Sequence, residues 1–406
     1  MHRTRPQHIP FSTKKVSIAS GKSGSAREEE PRTTTWFFFS RSLTSVSRSR
    51  KAVPMAKDRP WSSTGLMLMV ALTLFGCESD ETACMANDNI VDLQSTTSPI
   101  HDPTIIAEND TYYVFSSSPL GSFYTSTDLQ SWRHAGEVFT DIPAWLAQAI
   151  PEADHIGSPD ISFYEGRYLL FYQSHISNTC NAATGLATNT VLDPLHPDYL
   201  WVDHGLILRS TPFYEDIGIY CGDENSTFNA IDAQFFVDGE KKPWLVFGST
   251  IGGIKLIPLD PLSLRPPVKA QYTTLAQRWL FQNDPIIEAP YLIKMGEYYY
   301  LFLSFNHCCL DDKTQYQIRV GRADKITGPY FDKDGWPLWL GGGTPLIQRD
   351  GAFIGTGHGE VFSAEGRDWL VHHAKLPAQN YRAHLNIREL RWNRDGWPSV
   401  CDQATD

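Results

Sequence analysis

Four carboxylates and one histidine recur along this sequence at long and similar intervals. Asp102, Asp160, Asp232, Glu288 and His358 lie 58, 72, 56 and 70 residues apart in turn. Two carboxyl groups facing each other can hydrolyse a glycosidic bond, because one protonates the leaving oxygen while the other activates water. Inverting enzymes hold the pair about 6.5–9.5 Å apart. A third acid nearby raises the pKa of the proton donor and keeps it protonated. The residue types therefore point to acid–base hydrolysis, provided that the fold brings them together.

Each of these five residues lies in a segment with the pattern of a β-hairpin. Alternating apolar residues are followed by a short polar turn, such as 108–110 or 165–166, and then by an aromatic-rich run. The paired runs are 101–106 with 111–115, 158–163 with 167–171, 230–235 with 243–247, 288–293 with 298–302, and 357–362 with 369–371. A period of about 64 residues fits one four-stranded blade.

The repeats predict an all-β fold, a five-bladed β-propeller over residues 96–406 with a central active-site pocket. The first strand of each blade lines the axis of a propeller, so we expect the five leading side chains to occupy one equivalent position around that pocket. Burying several like charges together is costly and indicates a function.

The charge distribution narrows the choice of partner. Residues 1–60 contain 13 Lys and Arg against 4 Asp and Glu, which leaves 22 basic and 42 acidic residues for the remainder. A body this acidic repels nucleic acid, anionic membranes and polyanionic substrates. We expect a neutral polymer or small molecule as substrate, no nucleic acid partner, and a monomer.

The N-terminal region has the pattern of an export signal. Residues 1–54 show no sustained periodicity and are interpreted as a disordered or mis-annotated segment upstream of a true start at Met55. Residues 55–77 consist of a short charged stretch, an apolar run too short to span a membrane, and Cys77. This predicts a lipoprotein-type signal with an acylated Cys77, followed by a linker over 78–95. An ordinary cleaved signal or an N-terminal anchor is the alternative.

Export would permit disulfides among the later cysteines. Pairing of Cys84 with Cys401 would join the chain ends, and pairing of Cys180 with Cys221 would close a long loop. The adjacent Cys308 and Cys309 form either a vicinal disulfide or two free thiols. We expect no zinc site, because no CxxC pair is present.

A set of short motifs resembles glycoside hydrolase family 43, and within it the arabinan endo-1,5-α-L-arabinosidases. The motifs lie in order across about residues 98–398: Ile100-His101-Asp102-Pro103, Asn229-Ala230-Ile231-Asp232, Phe247-Gly248-Ser249, Ile287-Glu288-Ala289-Pro290-Tyr291, Cys308-Cys309 and Ile326-Thr327-Gly328-Pro329-Tyr330. The chain departs from the family pattern at Thr250 and Ile251, where an aromatic pair is usual, and at Glu360, which follows Gly357-His358-Gly359.

The resemblance implies a role for each leading residue. Asp102 would be the general base, Glu288 the general acid, and Asp232 the residue that modulates the pKa of the acid. His358 would hold one central calcium ion, largely coordinated by water. Substrate contacts are expected at His101, Asp160, Asn229, Ala230, Ile231, Ser249, Thr250 and Ile251.

Structural interpretations stand beside these roles. Asp102 precedes a proline and could simply form a turn. Glu288 could be only an ion-pair partner, and Asp232 could be an ordinary acid at the start of a strand. The alternative role for Asp160 is a structural hydrogen-bond acceptor in the floor of the pocket. The alternative for His358 is a buried histidine that binds no metal.

The resemblance implies an inverting hydrolase of α-1,5-L-arabinofuranosyl linkages in arabinan. The alternatives are an exo-acting arabinosidase, a hydrolase of another neutral glycan on the same fold, and a surface glycan-binding lipoprotein without turnover.

Overall fold

The computed structural model describes residues 99–177, 179–210, 228–278, 284–349 and 352–400. The predictions for residues 1–54, the signal at 55–77 and the linker at 78–95 lie outside these ranges. Among the described residues, no helix is long and apolar enough to cross a membrane.

The described chain folds into five antiparallel sheets of four strands, each built from strands that are consecutive in sequence. The first blade contains β1 (Thr104–Glu108), β2 (Thr111–Phe115), β3 (Ser122–Ser126) and β4 (Arg133–Glu137). The second contains β5 (Gly157–Tyr164), β6 (Arg167–His175), β7 (Ala182–Asn189) and β8 (Val202–Ser210). The third contains β9 (Gln234–Val237), β10 (Pro243–Ser249), β11 (Gly253–Pro258) and β12 (Thr273–Ala276).

The fourth blade contains β13 (Ile287–Met295), β14 (Tyr298–Phe305), β15 (Gln317–Ala323) and β16 (Thr344–Ile347). The fifth contains β17 (Ile354–Ala364), β18 (Arg367–Leu376), β19 (Arg382–Trp392) and β20 (Pro398–Val400). A short helix, α1 (Ala144–Ala149), lies between the first two blades, and 3₁₀ turns occur at Asp311–Lys313, Leu338–Leu340 and Pro377–Gln379.

The sheets close into a ring. Each first strand contacts the first strands of the two neighbouring blades, in the cyclic order β1, β5, β9, β13, β17 and back to β1. At the closure, the backbone N–H of Ile100 donates to the carbonyl of Ala383 in β19 at 3.1 Å. The prediction of an all-β, five-bladed propeller is therefore confirmed.

The hydrophobic core is divided among the five gaps between blades. In β6, Leu169 and Phe171 pack towards the third blade, while Tyr168 and Leu170 pack towards the first. Side chains of a strand alternate between its two faces, so a strand that is covered on both faces has a continuous apolar run. This accounts for the aromatic-rich second strands recognised in the sequence.

Candidate active site

The structure corrects the predicted equivalence of the five leading residues. The pairing of the first strand with the second strand sets the alignment of the five blades. The equivalent pairs are Thr104 with Phe115, Asp160 with Phe171, Gln234 with Val246, Tyr291 with Phe302 and Glu360 with Val371. Two residues earlier in each blade comes a residue with positive φ: Asp102, Ser158, Asp232, Ala289 or His358. Asp160 is thus two positions after Asp102 in the repeat, and Glu288 is one position before it.

The reason is a local irregularity where the first strands begin. The register shifts between Gly157 and Asp160, between Glu288 and Tyr291, and between Gly357 and Glu360. A bulge of this kind re-aims side chains without changing the surrounding alternation. The axial residues therefore form two layers: an upper layer at the positive-φ positions, and a lower layer at Thr104, Asp160, Gln234, Tyr291 and Glu360.

Asp102 lies in the upper layer and is held by several donors and histidines. Its Oδ2 accepts hydrogen bonds from the hydroxyls of Ser117 at 2.7 Å and Ser158 at 3.2 Å. Nδ1 of His101 lies 2.9 Å from the same oxygen, and Nδ1 of His358 lies 3.3 Å from Oδ1. Burial alone would raise the pKa of Asp102, but the neighbouring histidines, His101 foremost, hold it well below its usual range. Asp102 is thereby kept as a carboxylate.

His373 supports Asp102 from the second strand of the fifth blade. The backbone N–H of Asp102 donates to its Nδ1 at 3.2 Å, and its ring stacks on that of His101 with centroids 4.1 Å apart. Burial lowers the pKa of His373 well below its usual range, so the ring is neutral and its Nδ1 accepts.

Asp232 also lies in the upper layer, where Ser158 and Gln173 connect it to Asp102 by hydrogen bonds. The side-chain amide of Gln173 donates both to the Ser158 hydroxyl and to Oδ1 of Asp232, each at 3.1 Å. The other oxygen of Asp232 accepts from the backbone N–H of Ala289 at 3.0 Å. Since Ala289 follows Glu288 directly, Asp232 lies between Asp102 and Glu288 in this chain of hydrogen bonds.

Glu288 has the opposite electrostatic environment from Asp102. Burial, followed by the charge of Asp232, raises the pKa of Glu288 to about 8, although a hydrogen bond from Tyr316 lowers it. Asp102 also contributes to the rise. One carboxyl group is therefore protonated near neutral pH while another close to it is ionised, which is the pairing that acid–base catalysis requires.

Asp160 and Glu360 lie in the lower layer, where they join neighbouring blades. Four hydrogen bonds connect this layer to the next blade, each donated by a backbone N–H to a side-chain oxygen. The pairs are Ile161 to Thr104, Phe235 to Asp160, Leu292 to Gln234 and Ile105 to Glu360. Burial raises the pKa of Asp160 to about 7 and that of Glu360 well above its usual range. In this structure Asp160 accepts a structural hydrogen bond in the layer beneath Asp102 and Asp232.

A small axial cavity of about 20 Å³, enough for a water molecule, is lined by residues of both layers. Its lining includes Asp160, Asp232, Tyr291, His358 and Glu360. The hydroxyl of Tyr291 donates to Glu360 at 3.2 Å across this cavity. The acids predicted from the sequence therefore converge on one axis, in two tiers rather than in one ring.

The residues predicted to contact substrate differ in their exposure. Asn229 is buried and donates from Nδ2 to the Ser249 hydroxyl at 3.0 Å. Ala230 has no exposed surface, and Ile231 is buried. Ser249 and Asp160 are buried as well. His101, Thr250 and Ile251 are partly exposed.

Several site residues were not singled out from the sequence. Ser117, Gln173 and His373 occupy one equivalent position, two residues beyond Phe115, Phe171 and Val371, where the second strand reaches the axis. That repeat position was the signal that could have identified them. The structure also brings ligand atoms of His101, Asp102 and His373 within 4.8 Å of one another, which sequence spacing did not indicate.

The cysteines are partly accounted for. Cys308 and Cys309 form a vicinal disulfide, which decides between the two states left open by the sequence. Cys180 is also disulfide-bonded, while Cys84, Cys221 and Cys401 lie outside the described residues.

Comparisons with known proteins agree with this geometry. The sequence model of a protein family, the glycosyl hydrolases family 43, matches residues 96–398 of this chain. An extracellular exo-α-(1→5)-L-arabinofuranosidase of Cellvibrio japonicus is 35% identical over 315 residues, covering 76% of this chain and 88% of that protein. An extracellular endo-α-(1→5)-L-arabinanase of Bacillus subtilis is 32% identical over 305 residues, covering 74% of this chain and 87% of that protein.

Among solved structures, the α-L-arabinanase of Cellvibrio cellulosa complexed with arabinohexaose is similar with a TM-score of 0.69. It is 33% identical, and the match covers 75% of this chain and 96% of that chain. From the family match, these relatives and the shared propeller, we conclude that this chain is a glycosidase that belongs to glycosyl hydrolase family 43.

Proposed function

We propose that this protein hydrolyses α-1,5-L-arabinofuranosyl linkages of arabinan with inversion of configuration. Asp102 acts as general base, Glu288 as general acid, and Asp232 as the modulator of the pKa of the acid. The observation that carries the proposal is the contrast between two neighbouring carboxyl groups: histidines keep Asp102 ionised, while burial and Asp232 keep Glu288 protonated.

In this mechanism, Glu288 donates its proton to the leaving oxygen as the glycosidic bond breaks. Asp102 takes a proton from the water that attacks from the opposite face of the sugar. Asp232 accepts from the Ala289 N–H, which fixes its charge next to Glu288. The product leaves with Glu288 ionised and Asp102 protonated, and solvent restores both.

The experiment is hydrolysis of debranched arabinan by the wild type and by Glu288→Gln. We expect arabino-oligosaccharides from the wild type and at least about 100-fold slower release from the variant, because the amide cannot donate the proton. Equal rates would contradict the role of Glu288, and absence of any release by the wild type would contradict the substrate.

We propose endo action on linear arabinan, as the sequence resemblance implies. The Cellvibrio japonicus relative, named an exo-acting enzyme, favours exo action as the second candidate. Early product profiles separate the two, since a ladder of oligosaccharides indicates endo action and a single short product indicates exo action. A wall of loop residues around 211–228 would favour exo action, but residues 211–227 lie outside the described ranges.

We further propose export with a lipid anchor on Cys77, at the periplasmic face or the cell surface. Both compared curated relatives are named extracellular, which supports export. Mass spectrometry of the mature N-terminus tests the anchor: an acylated Cys77 is expected, and an unmodified N-terminus elsewhere would contradict it.

We also propose one calcium ion at His358, coordinated largely by water. His358 lines the axial cavity, and because calcium prefers oxygen ligands, a single imidazole there would leave most coordination positions to waters. Bound calcium would add positive charge near Asp102. Chelation should lower the thermal unfolding temperature and calcium should restore it; an unchanged unfolding temperature would contradict the site.

A further inference from the structure

The vicinal disulfide Cys308–Cys309 lies at the rim of the catalytic pocket, next to the base. Its sulfur atoms and a ring nitrogen of His101 lie within 4.8 Å of one another. Cys309 is exposed and Cys308 is partly exposed. The disulfide is thus accessible to solutes while it packs against a residue that contacts Asp102.

His101 is enclosed on two sides. Its ring stacks on that of His373, with an angle of 21° between the planes, and one of its ring nitrogens lies within 4.8 Å of both disulfide sulfurs. Its Nδ1 lies 2.9 Å from Oδ2 of Asp102. Because a third of the His101 side chain is exposed, at 33%, the ring depends on these contacts to keep its orientation.

Lys375 holds the disulfide in place from the fifth blade. Its ammonium group donates to the carbonyl of Cys308 at 2.8 Å and to the sulfur of Cys309 at 3.1 Å. Thr314 donates to the same carbonyl at 3.0 Å. Lys375 follows His373 by two residues on β18, so one strand carries both supports of His101.

We propose that the Cys308–Cys309 disulfide, held by Lys375, is a positioning element that fixes His101 against Asp102 and thereby sets the rate of the hydrolytic step. The inference rests on the proposed function of Asp102 as general base. A group that orients a catalytic residue changes turnover more than substrate binding, because misplacement of the reacting groups by about 1 Å can cost about 100-fold in rate.

Reduction by an added dithiol gives a reversible perturbation. The S–S bond breaks, the two cysteine sulfurs take up two electrons and two protons, and the dithiol is oxidised to its own cyclic disulfide. The resulting Cys309 thiol lies next to the Lys375 ammonium, which favours its thiolate. The wall beside His101 is then replaced by two separate, mobile and partly charged groups.

The test measures kcat and KM on arabino-oligosaccharides for the wild type, Cys308→Ser/Cys309→Ser, His101→Ala and the combined variant. We expect the double serine variant to lose about 10- to 100-fold in kcat, with KM within about threefold. In the His101→Ala background the same change should alter kcat by less than about twofold, since groups that act through one another are not additive.

Reduction of the wild type should produce the same loss of kcat, and reoxidation should reverse it. The double serine variant is the matched control, because any effect of dithiol on it reports other disulfides. If this variant does not fold, Lys375→Met replaces it in the same cycle with His101→Ala.

The proposal is overturned by wild-type kcat in the folded double serine variant, by equal losses in both backgrounds, or by a rise in KM alone. Wild-type hydrolysis of arabino-oligosaccharides is measured first. If the wild type does not hydrolyse these substrates, the proposed function is contradicted. The comparison of the wild type with the three variants tests the positioning role separately.

Discussion

Replacement of Asp232 by asparagine should lower the pKa of Glu288 and shift the alkaline limb of the pH–rate profile to lower pH. Asp232 is the largest charged contributor to the raised pKa of Glu288, second only to burial. Asparagine keeps the shape and an oxygen for the hydrogen bond from Ala289, but its NH2 group replaces the oxygen that accepts from Gln173. The substitution therefore removes the charge at the cost of one hydrogen bond.

The magnitude follows from the pKa of Glu288, which is about 8. In the wild type about half of the acid is protonated at pH 8 and nearly all at pH 6, so kcat/KM at pH 8 should be about one-half of that at pH 6. Removing the neighbouring charge should lower the pKa by about one unit, or about 1.4 kcal/mol. The ratio should then fall to about one-tenth.

The assay is the ratio of kcat/KM at pH 8 to that at pH 6 on arabino-oligosaccharides. The ratio cancels any loss from altered geometry, since such a loss affects both pH values alike. Asp160→Asn is the matched control, because Asp160 raises the pKa values of Glu360 and Tyr291 instead. An unchanged ratio for Asp232→Asn, or the same fall in the control, would refute the electrostatic assignment.

Three further predictions follow from the same geometry. Asp102→Asn should lower kcat by about 10²–10⁴ with an unchanged circular dichroism spectrum, whereas Asp110→Asn in an exposed turn should have no effect; similar rates for both would contradict the base. Tyr316→Phe removes a hydrogen bond that lowers the pKa of the acid, so its alkaline limb should move up by about one unit, and a downward shift would be inconsistent. Gly357→Ala would place a Cβ 1.8 Å from Tyr316 and should lower the free energy of unfolding, measured with denaturant, by about 1–3 kcal/mol. In the control Gly239→Ala, the added Cβ would meet only the end of a lysine side chain at 3.3 Å, so stability should change by less than about 0.5 kcal/mol. Equal stabilities of the two variants would argue against this packing.

The sequence was sufficient for the ring of blades but not for the alignment within it. Alternation and aromatic runs predicted all five leading hairpins, because strands buried on both faces need apolar residues on both. The bulges before Asp160 and Tyr291 were not visible. They change the register by local backbone geometry, which apolar periodicity does not encode. The sequence pattern therefore predicts one layer for Asp160 and Asp102, whereas the structure places them in two.

The contacts that support Asp102 and Asp232 were harder to predict than the two acids themselves. Gln173 and His373 reach Asp232 and Asp102 from second strands of other blades, and such contacts depend on how far each strand extends towards the axis. The environment of Cys309 likewise depends on Lys375, which is distant in sequence. Only the folded ring brings these pairs together.

The most direct test of the proposed mechanism is the anomeric configuration of the first product. Proton NMR during hydrolysis of an α-linked arabino-oligosaccharide should show the β-anomer first, followed by slow mutarotation, because Asp102 activates water on the face opposite the leaving group. Initial appearance of the α-anomer would mean retention of configuration and would contradict the assignment of Asp102 as general base.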